Sequence, residues 1–280
     1  MRELVQIINT QATHDGDGVS IRRLAGHRLR PFLNPFLMID EIRSDDSADY
    51  IGGFPEHPHR GFETITYMKA GRMRHRDHMG NNGVIEPGDV QWMTAGSGVL
   101  HSEMPEQEQG LLHGFQVWLN LPAAEKMKHA AYQEILKPEI TRYTLPGGGV
   151  VQQIAGKVEI DRQQVEGPLL RSSTNAVFSD IALEPNERVA LWMDERNTAV
   201  VYVYEGDIGS ISDGQLGVYS AGRELSLVAG SKGASAIILS GKEIKEPIVQ
   251  YGPFVMNTKH EIQQALEDFQ NPAFLKALKA

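Results

Sequence analysis

The stretch Phe62-Glu-Thr-Ile-Thr-Tyr-Met-Lys-Ala-Gly71 decides the fold prediction, because it is rich in β-branched and aromatic residues and ends in a glycine turn. Short runs of this kind continue over residues 64–154, broken every eight to twelve residues by Gly, Asn, Asp or Pro. Residues 114–120 form the second clear strand. This spacing is typical of an antiparallel sandwich or barrel, so we predict an all-β fold.

The same pattern of β-branched and aromatic residues ending in glycine recurs in Thr198-Ala-Val-Val-Tyr-Val-Tyr-Glu-Gly206, about 135 positions further along the chain. Two copies of one β-unit are the simplest explanation of this internal similarity. Two prolines and the three glycines at 147–149 mark the boundary between the copies. The sequence therefore predicts two domains, at residues 1–145 and 146–280.

The hydrophobic period changes near the C-terminus. Thr258 and Glu261 have the spacing of a helix-capping box. Asn271-Pro272 has the pattern of a second helix start, with Asn as the cap and Pro in the first helical position. We expect a short helical segment from about residue 258, because apolar residues follow the capping box at helical spacing: Ile262, Ala265, Leu266 and Phe269. Residues 122–133 are compatible with a helix as well as with a loop.

Composition and charge exclude several classes of protein. Lys and Arg total 27 against 36 Asp and Glu, and this net charge of −9 disfavours direct binding to nucleic acid or to anionic membranes. The chain has no Cys, so disulfides, thiolate metal sites and cysteine nucleophiles are excluded. The first ten residues lack the pattern of a signal peptide, and no apolar run is long enough to cross a bilayer. We expect a cytoplasmic protein.

Six of the ten histidines lie between His57 and His113. In His57-Pro-His59 the proline disfavours helix, and residues two apart on an extended segment project to the same side. His101-Ser-Glu103 repeats this spacing on a second segment. Three imidazoles and one carboxylate from two neighbouring strands predict a mononuclear metal site with positions left for water, oxygen or substrate. The other histidines in this region have two interpretations, as ordinary surface or hydrogen-bonded residues, which we prefer, or as residues that line the mouth of the metal barrel: His75, His78 and His113.

The stretch His57-Pro-His59-Arg-Gly-Phe-Glu63 resembles the first cupin motif. The span from Gly88-Asp-Val-Gln-Trp-Met-Thr-Ala-Gly96 through His101-Ser-Glu103-Met-Pro105 resembles the pirin family within the cupin superfamily. Residues 116–122 and 251–257 also resemble pirin segments, so the resemblance covers nearly the whole chain. It implies a bicupin, with two stacked β-barrels of the jelly-roll type and one metal, usually iron, in the N-terminal barrel. It implies four metal ligands: His57, His59, His101 and Glu103.

A competing carboxylate is Glu63, which the general cupin pattern places as a ligand four residues after His59. Glu103 stands two residues after His101, so the two side chains converge on one strand face without a bulge. We therefore prefer Glu103, with Glu63 as the alternative.

The second copy shows how many ions to expect. At offsets of 134 to 135 the four ligand positions fall on residues that form no transition-metal site: Leu191 or Trp192, Met193 or Asp194, Ser235 or Ala236, and Ile237 or Ile238. We expect a C-terminal barrel without metal ligands and one divalent ion per chain. Iron(II) is the first choice, and Cu, Mn, Ni, Co or Zn also fit this ligand set.

The pirin resemblance implies two functions. The first is quercetin 2,3-dioxygenase activity, in which the metal binds a flavonol hydroxyl, the hydroxyl loses its proton, and O2 opens the ring with loss of carbon monoxide. Glu103 is then the catalytic base as well as a ligand, and the partners are a flavonol-like aromatic substrate and O2. The second is a non-enzymatic, iron-dependent redox regulator that binds a transcription factor or a metabolic enzyme. A zinc cupin isomerase acting on sugars is a third function, for which the sequence shows no sugar or phosphate signature.

Overall fold

The computed structural model describes residues 1–26, 29–169 and 173–278, which form mainly antiparallel β-strands. The strands of the first half are β1 (Leu4–Asn9), β2 (Gln11–Asp15), β3 (Val19–Ala25), β4 (Phe36–Ser44), β5 (Phe54–His59), β6 (Phe62–Ala70), β7 (Met73–Asp77), β8 (Asn82–Ile85), β9 (Val90–Thr94), β10 (Val99–Pro105), β11 (Leu112–Asn120) and β12 (Ala131–Ile135).

The strands of the second half are β13 (Thr141–Thr144), β14 (Val150–Ala155), β15 (Lys157–Ile160), β16 (Gln163–Glu166), β17 (Val177–Leu183), β18 (Arg188–Trp192), β19 (Thr198–Ile208), β20 (Ile211–Ser212), β21 (Gln215–Tyr219), β22 (Glu224–Gly241), β23 (Val249–Tyr251) and β24 (Phe254–Met256). The helices are α1 (Arg30–Leu33), α2 (Lys259–Gln270) and α3 (Pro272–Leu278). Single 3-10 turns lie at Ser47–Asp49, Ala123–Glu125 and Lys137–Glu139.

Two compact units divide the chain, and they differ from the single predicted division between residues 145 and 146. The N-terminal unit comprises Ala12–Ala25, Phe36–Lys137 and Ile244–Ala280, and the C-terminal unit comprises Met1–Gln11, Gly26–Pro35 and Pro138–Glu243. The first residues of the chain belong to the C-terminal unit because β1 pairs with β21 and supplies partners for the backbone groups of that strand. Pairing over such a sequence distance leaves no local pattern in the sequence.

The N-terminal unit contains a seven-stranded sheet in the order β12-β9-β6-β11-β4-β3-β2 and a four-stranded sheet in the order β5-β10-β7-β8. The predicted strands at 64–68 and 114–120 are confirmed within β6 and β11. One apolar cluster joins the two sheets, and burial of these side chains stabilises the unit. Its buried members are Val19, Ile21, Ile42, Tyr50, Met68, Met73, Ile85 and Leu112.

The C-terminal unit is built on one eleven-stranded sheet whose main order is β1-β21-β19-β22-β17-β14-β13. The strand β22 is its longest and pairs with β17, β18 and β19. Apolar side chains fill the core of this unit, among them Val151, Ile181, Leu191, Val201, Leu225, Leu227 and Ile238. A second β-unit is therefore present, as the internal repeat predicts.

The C-terminal helices of the N-terminal unit confirm the predicted capping box. Thr258 N donates to Glu261 Oε2 at 2.7 Å, and Glu261 N donates to Thr258 Oγ1 at 3.2 Å. The side chain of Asn271 caps α3 by accepting from Ala273 N at 2.9 Å. The segment 122–133 contains a 3-10 turn and the start of β12 rather than an α-helix. None of the helices in the described ranges has the length and apolarity needed to span a membrane.

Candidate metal centre

Two neighbouring strands bring the predicted histidines together. In the antiparallel pair β5–β10, His57 lies directly opposite His101. His59 follows two residues after His57 on the same face of β5. The register between β5 and β10 shifts between His101 and Glu103, whereas β10 pairs regularly with β7. The i, i+2 spacing in the sequence thus becomes a cluster of imidazoles across one strand pair.

The three imidazoles converge on one point. The ring centroids of His57 and His101 are 4.3 Å apart, and those of His59 and His101 are 4.9 Å apart. One nitrogen from each of the three rings lies within 4.8 Å of the other two. A second group with the same maximum spacing consists of His75, His101 and Glu103. Each of the four predicted ligands therefore belongs to at least one of these two groups, and His101 belongs to both.

Hydrogen bonds to backbone carbonyls determine which nitrogen of His57 and His59 faces the cluster. His57 Nδ1 lies 2.8 Å from Pro55 O, and His59 Nδ1 lies 3.4 Å from Pro253 O. A carbonyl oxygen only accepts, so each Nδ1 carries the proton and each Nε2 carries a lone pair. The two Nε2 atoms are 3.0 Å apart. Lone pairs at this distance repel each other, and a cation bound by both removes the repulsion.

Burial keeps the imidazoles of His59 and His101 in the neutral form, which is the form that binds metals. His59 and His101 are almost completely buried, at 3% and 1% exposure. Desolvation lowers the pKa of both histidines well below the usual value, and neighbouring histidines lower it further. Neither ring nitrogen of His101 has a hydrogen-bond partner. A buried neutral imidazole offers a lone pair that a transition metal can bind.

The carboxylate of Glu103 is positioned by a strand of the other sheet. Thr66 Oγ1 on β6 lies 2.8 Å from Glu103 Oε1 and 2.8 Å from Gln116 Oε1. The hydroxyl has one proton, and a carboxylate is the stronger acceptor, so Thr66 donates to Glu103. Glu103 is 4% exposed and faces His101 and His75. The sequence reasoning did not identify Thr66, although a threonine within a strand of apolar residues was a visible signal.

Glu63, the alternative carboxylate, lies on the opposite face of β6 from Thr66. It accepts hydrogen bonds from Trp92 Nε1 at 3.0 Å and from Thr94 Oγ1 at 2.8 Å. Lys128 Nζ forms an ion pair with it at 3.1 Å. Among the described residues, Glu63 belongs to neither group of potential metal ligands. Its oxygens are engaged by β9 and Lys128, which leaves Glu103 as the carboxylate beside the imidazoles.

His75 was not among the predicted metal ligands. It lies on β7 directly opposite Glu103 and is completely buried. Its Nε2 lies 3.2 Å from Asp77 Oδ2, while its Nδ1 has no partner. The alternation along β7 places His75 and Asp77 on the same face, and that pattern is visible in the sequence. Their proximity to Glu103 depends on the register of β7 against β10.

Comparison with known proteins agrees with this architecture. The pirin family model matches residues 18–119, and the model of the pirin C-terminal cupin domain matches residues 178–275. A Vibrio cholerae protein named "Putative quercetin 2,3-dioxygenase" is 45% identical over 272 residues, which cover 96% of each chain.

Solved structures show the same fold. The crystal structure of quercetin 2,3-dioxygenase from Acinetobacter baumannii superposes with a TM-score of 0.88 at 33% identity and covers 98% of each chain. A bacterial pirin from Escherichia coli, solved in complex with nickel(II), superposes with a TM-score of 0.61 at 19% identity, covering 85% of this chain and 99% of its own. The predicted all-β fold with two cupin domains is confirmed. On these matches in sequence and fold, the chain belongs to the pirin family.

Proposed function

We propose that this protein is a metal-dependent cupin dioxygenase that opens the ring of flavonols in the manner of quercetin 2,3-dioxygenase. In this proposal one ion, iron(II) in the first instance, is held by His57, His59, His101 and Glu103. The observation that carries the proposal is the set of imidazole lone pairs, two of them 3.0 Å apart, beside one buried carboxylate. The names of the relatives from Vibrio cholerae and Acinetobacter baumannii support the substrate class.

The charge of this donor set suits an acidic aromatic hydroxyl. Three neutral imidazoles and one carboxylate leave a divalent ion with a net charge near +1, which favours the anion of a flavonol over the neutral molecule. When bound, the ion supplies a Lewis acid for the flavonol oxygen and a redox partner for O2. His57 is only partly buried, so it stands on the side of the cluster that solvent and substrate reach.

Glu103 is the catalytic base in this proposal. Its Oε1 accepts from the Thr66 hydroxyl, and this bond fixes the plane of the carboxylate beside the imidazoles. The carboxylate then takes the proton of the flavonol hydroxyl, while Thr66 holds it in place through the transfer. Both oxygen atoms of O2 enter the organic product, and one ring carbon leaves as carbon monoxide.

The test is aerobic turnover by the metal-loaded protein. Iron-loaded protein and quercetin are expected to consume O2 and release carbon monoxide in equal amounts, and metal-free protein is expected to do neither. If iron-, copper-, manganese- and nickel-loaded protein all fail to consume O2 with any flavonol, the dioxygenase proposal is wrong. The regulatory function, with a transcription factor or a metabolic enzyme as partner, then takes its place. Both functions are compatible with the predicted cytoplasmic location.

A further inference from the structure

His75 has the hydrogen-bonding pattern of a metal ligand although it lies outside the proposed set. Asp77 accepts from its Nε2 at 3.2 Å, and the same carboxylate accepts from Asn81 Nδ2 at 2.8 Å and from Asn81 N at 3.0 Å. An acceptor held in this way fixes the proton of His75 on Nε2 and leaves the lone pair on Nδ1. Metal-binding histidines commonly donate their second N–H to a carboxylate in this manner.

The lone pair of His75 is buried and has no hydrogen-bond partner. His75 is 0% exposed, and its Nδ1 is one of the buried nitrogen atoms for which the described residues provide no hydrogen-bond partner. One donor atom each from His75, His101 and Glu103 lies within 4.8 Å of the other two. Leaving a buried polar atom unpaired is unfavourable, so the arrangement is explained best by a ligand that binds there.

We propose that the N-terminal unit has an inner metal position formed by His75, His101 and Glu103, in addition to the outer position at which His57 and His59 are donors. The inference rests on the proposed role of His101 and Glu103 as ligands. The inner position offers two imidazoles and one carboxylate, a donor set for Fe2+, Co2+, Ni2+ or Zn2+. A single ion occupies one position or the other.

Charge and burial explain why the two positions exclude each other. Both ligand groups contain His101, and Glu103 is a ligand of both positions in the proposed set, so two ions would have one carboxylate between them in a buried environment. The excess positive charge would be strongly disfavoured. The two positions also differ in access. All three inner donors are at most 4% exposed, whereas His57 is partly open to solvent. An ion at the inner position is therefore shielded from large ligands such as a flavonol.

The experiment isolates the inner position by removing two outer donors. The double variant His57→Ala/His59→Ala is titrated with Co2+ in competition with a coloured chelator, and its fold is checked by circular dichroism. We expect this variant to bind about one Co2+ per chain more weakly than the unsubstituted protein. Adding His75→Ala, or His75→Gln if the alanine variant is unfolded, is expected to weaken binding by roughly 10-fold or more.

His113→Ala in the same double variant is the matched control. His113 is also a buried histidine paired with a carboxylate, since its Nε2 lies 3.0 Å from Glu41 Oε1, but it belongs to neither ligand group of the described residues. Its replacement is expected to leave Co2+ affinity unchanged. An equal loss with His113→Ala and with His75→Ala would overturn the inner position.

X-ray absorption of the Co2+-loaded double variant counts the imidazole ligands of the ion without any substitution of His75. Two imidazole ligands are expected, and a single imidazole would contradict the proposal because His101 alone would then remain. If the unsubstituted protein binds one Co2+ and the double variant binds none, the inner position is wrong and the outer site stands. If neither protein binds Co2+, the proposed metal centre fails as well.

Discussion

The strand pair β5–β10 of the N-terminal unit carries polar side chains where the pair β18–β22 of the C-terminal unit carries apolar ones. Each pair joins the strand that precedes β6 or β19 in the chain to a later strand of its unit. His57 faces His101 in the first pair, and Leu191 faces Leu225 in the second. The second pair belongs to an apolar core. The same kind of antiparallel strand pair thus carries potential metal ligands in one unit and packed leucines in the other.

Strand pairing places the second pair of missing ligands at other positions than the sequence repeat does. The offset matches His57 with Leu191, as the structure does, but it places the second pair at residues 235–238. Those residues lie in the part of β22 that pairs with β17 and β19. A constant offset fails because the chain between β6 and β10 is longer than the chain between β19 and β22. The conclusion that these positions carry no metal donors in the C-terminal unit remains.

The largest expected effect comes from His101, because it belongs to both ligand groups. His101→Ala is expected to weaken metal binding by roughly 100-fold or more, measured by elemental analysis and chelator competition. The matched variant in the other unit, Leu225→Ala, is expected to leave metal content unchanged and to lower the free energy of unfolding by about 2–5 kcal/mol. Loss of metal from Leu225→Ala would contradict the conclusion that the β18–β22 pair binds no metal. A second tightly bound ion in the unsubstituted protein would contradict it as well.

The next effect separates the two carboxylates of the N-terminal unit. Glu103→Gln is expected to reduce flavonol-dependent O2 uptake by about 100-fold or more, because an amide neither accepts the proton nor balances the ion. Glu63→Gln is expected to be milder, since the amide oxygen still accepts from either Trp92 or Thr94 and Glu63 belongs to neither ligand group of the described residues. The readout is O2 uptake by protein with equal metal content. An inactive Glu63→Gln beside an active Glu103→Gln would show that the ligand is Glu63.

A smaller effect is expected from the hydroxyl that holds Glu103. Thr66→Val removes the hydrogen bond of 2.8 Å to Glu103 and is expected to lower metal affinity by roughly 10-fold. Thr64→Val is the control, because Thr64 lies two residues earlier on β6, is fully buried and has no partner for its hydroxyl. Chelator competition is expected to show unchanged affinity for Thr64→Val. Equal losses in the two variants would assign the effect to packing instead.

A separate effect, which does not involve the metal, is a pH dependence of stability in the N-terminal unit. Burial lowers the pKa of Lys126 to about 8, while Glu246 and Glu261 oppose the shift. Between about pH 8 and pH 10.4 the folded protein has released this proton and the unfolded chain has not, so the free energy of unfolding rises with pH by up to about 1.4 kcal/mol per pH unit. Urea unfolding at pH 8 and pH 10 measures the slope.

Lys126→Met is the comparison for that slope. The substitution removes three hydrogen bonds, from Nζ to Asn120 Oδ1 at 2.6 Å, to Gly61 O at 2.8 Å and to Val255 O at 3.0 Å. It is expected to lower stability at every pH and to remove the part of the pH dependence that belongs to Lys126. An identical slope in the two proteins would assign the dependence to other groups.

Local sequence patterns by themselves determined the parts of this protein that depend on neighbours in the chain. Alternation and glycine turns predicted β6 and β11, and the Thr258–Glu261 spacing predicted the capping box of α2. The i, i+2 spacing predicted that His57 and His59 share a face. These features follow from backbone geometry over a few residues, which is why no tertiary information was needed.

Only the tertiary structure decided which distant strands meet and which face each residue presents. It placed His75 opposite Glu103 through the register of β7 against β10, and it turned Glu63 toward Trp92 and Lys128 on the other face of β6. It also joined β1 to β21, which assigns the first residues of the chain to the C-terminal unit. Strand register and pairing depend on contacts between residues far apart in the chain, and a shift of one residue reverses every side chain.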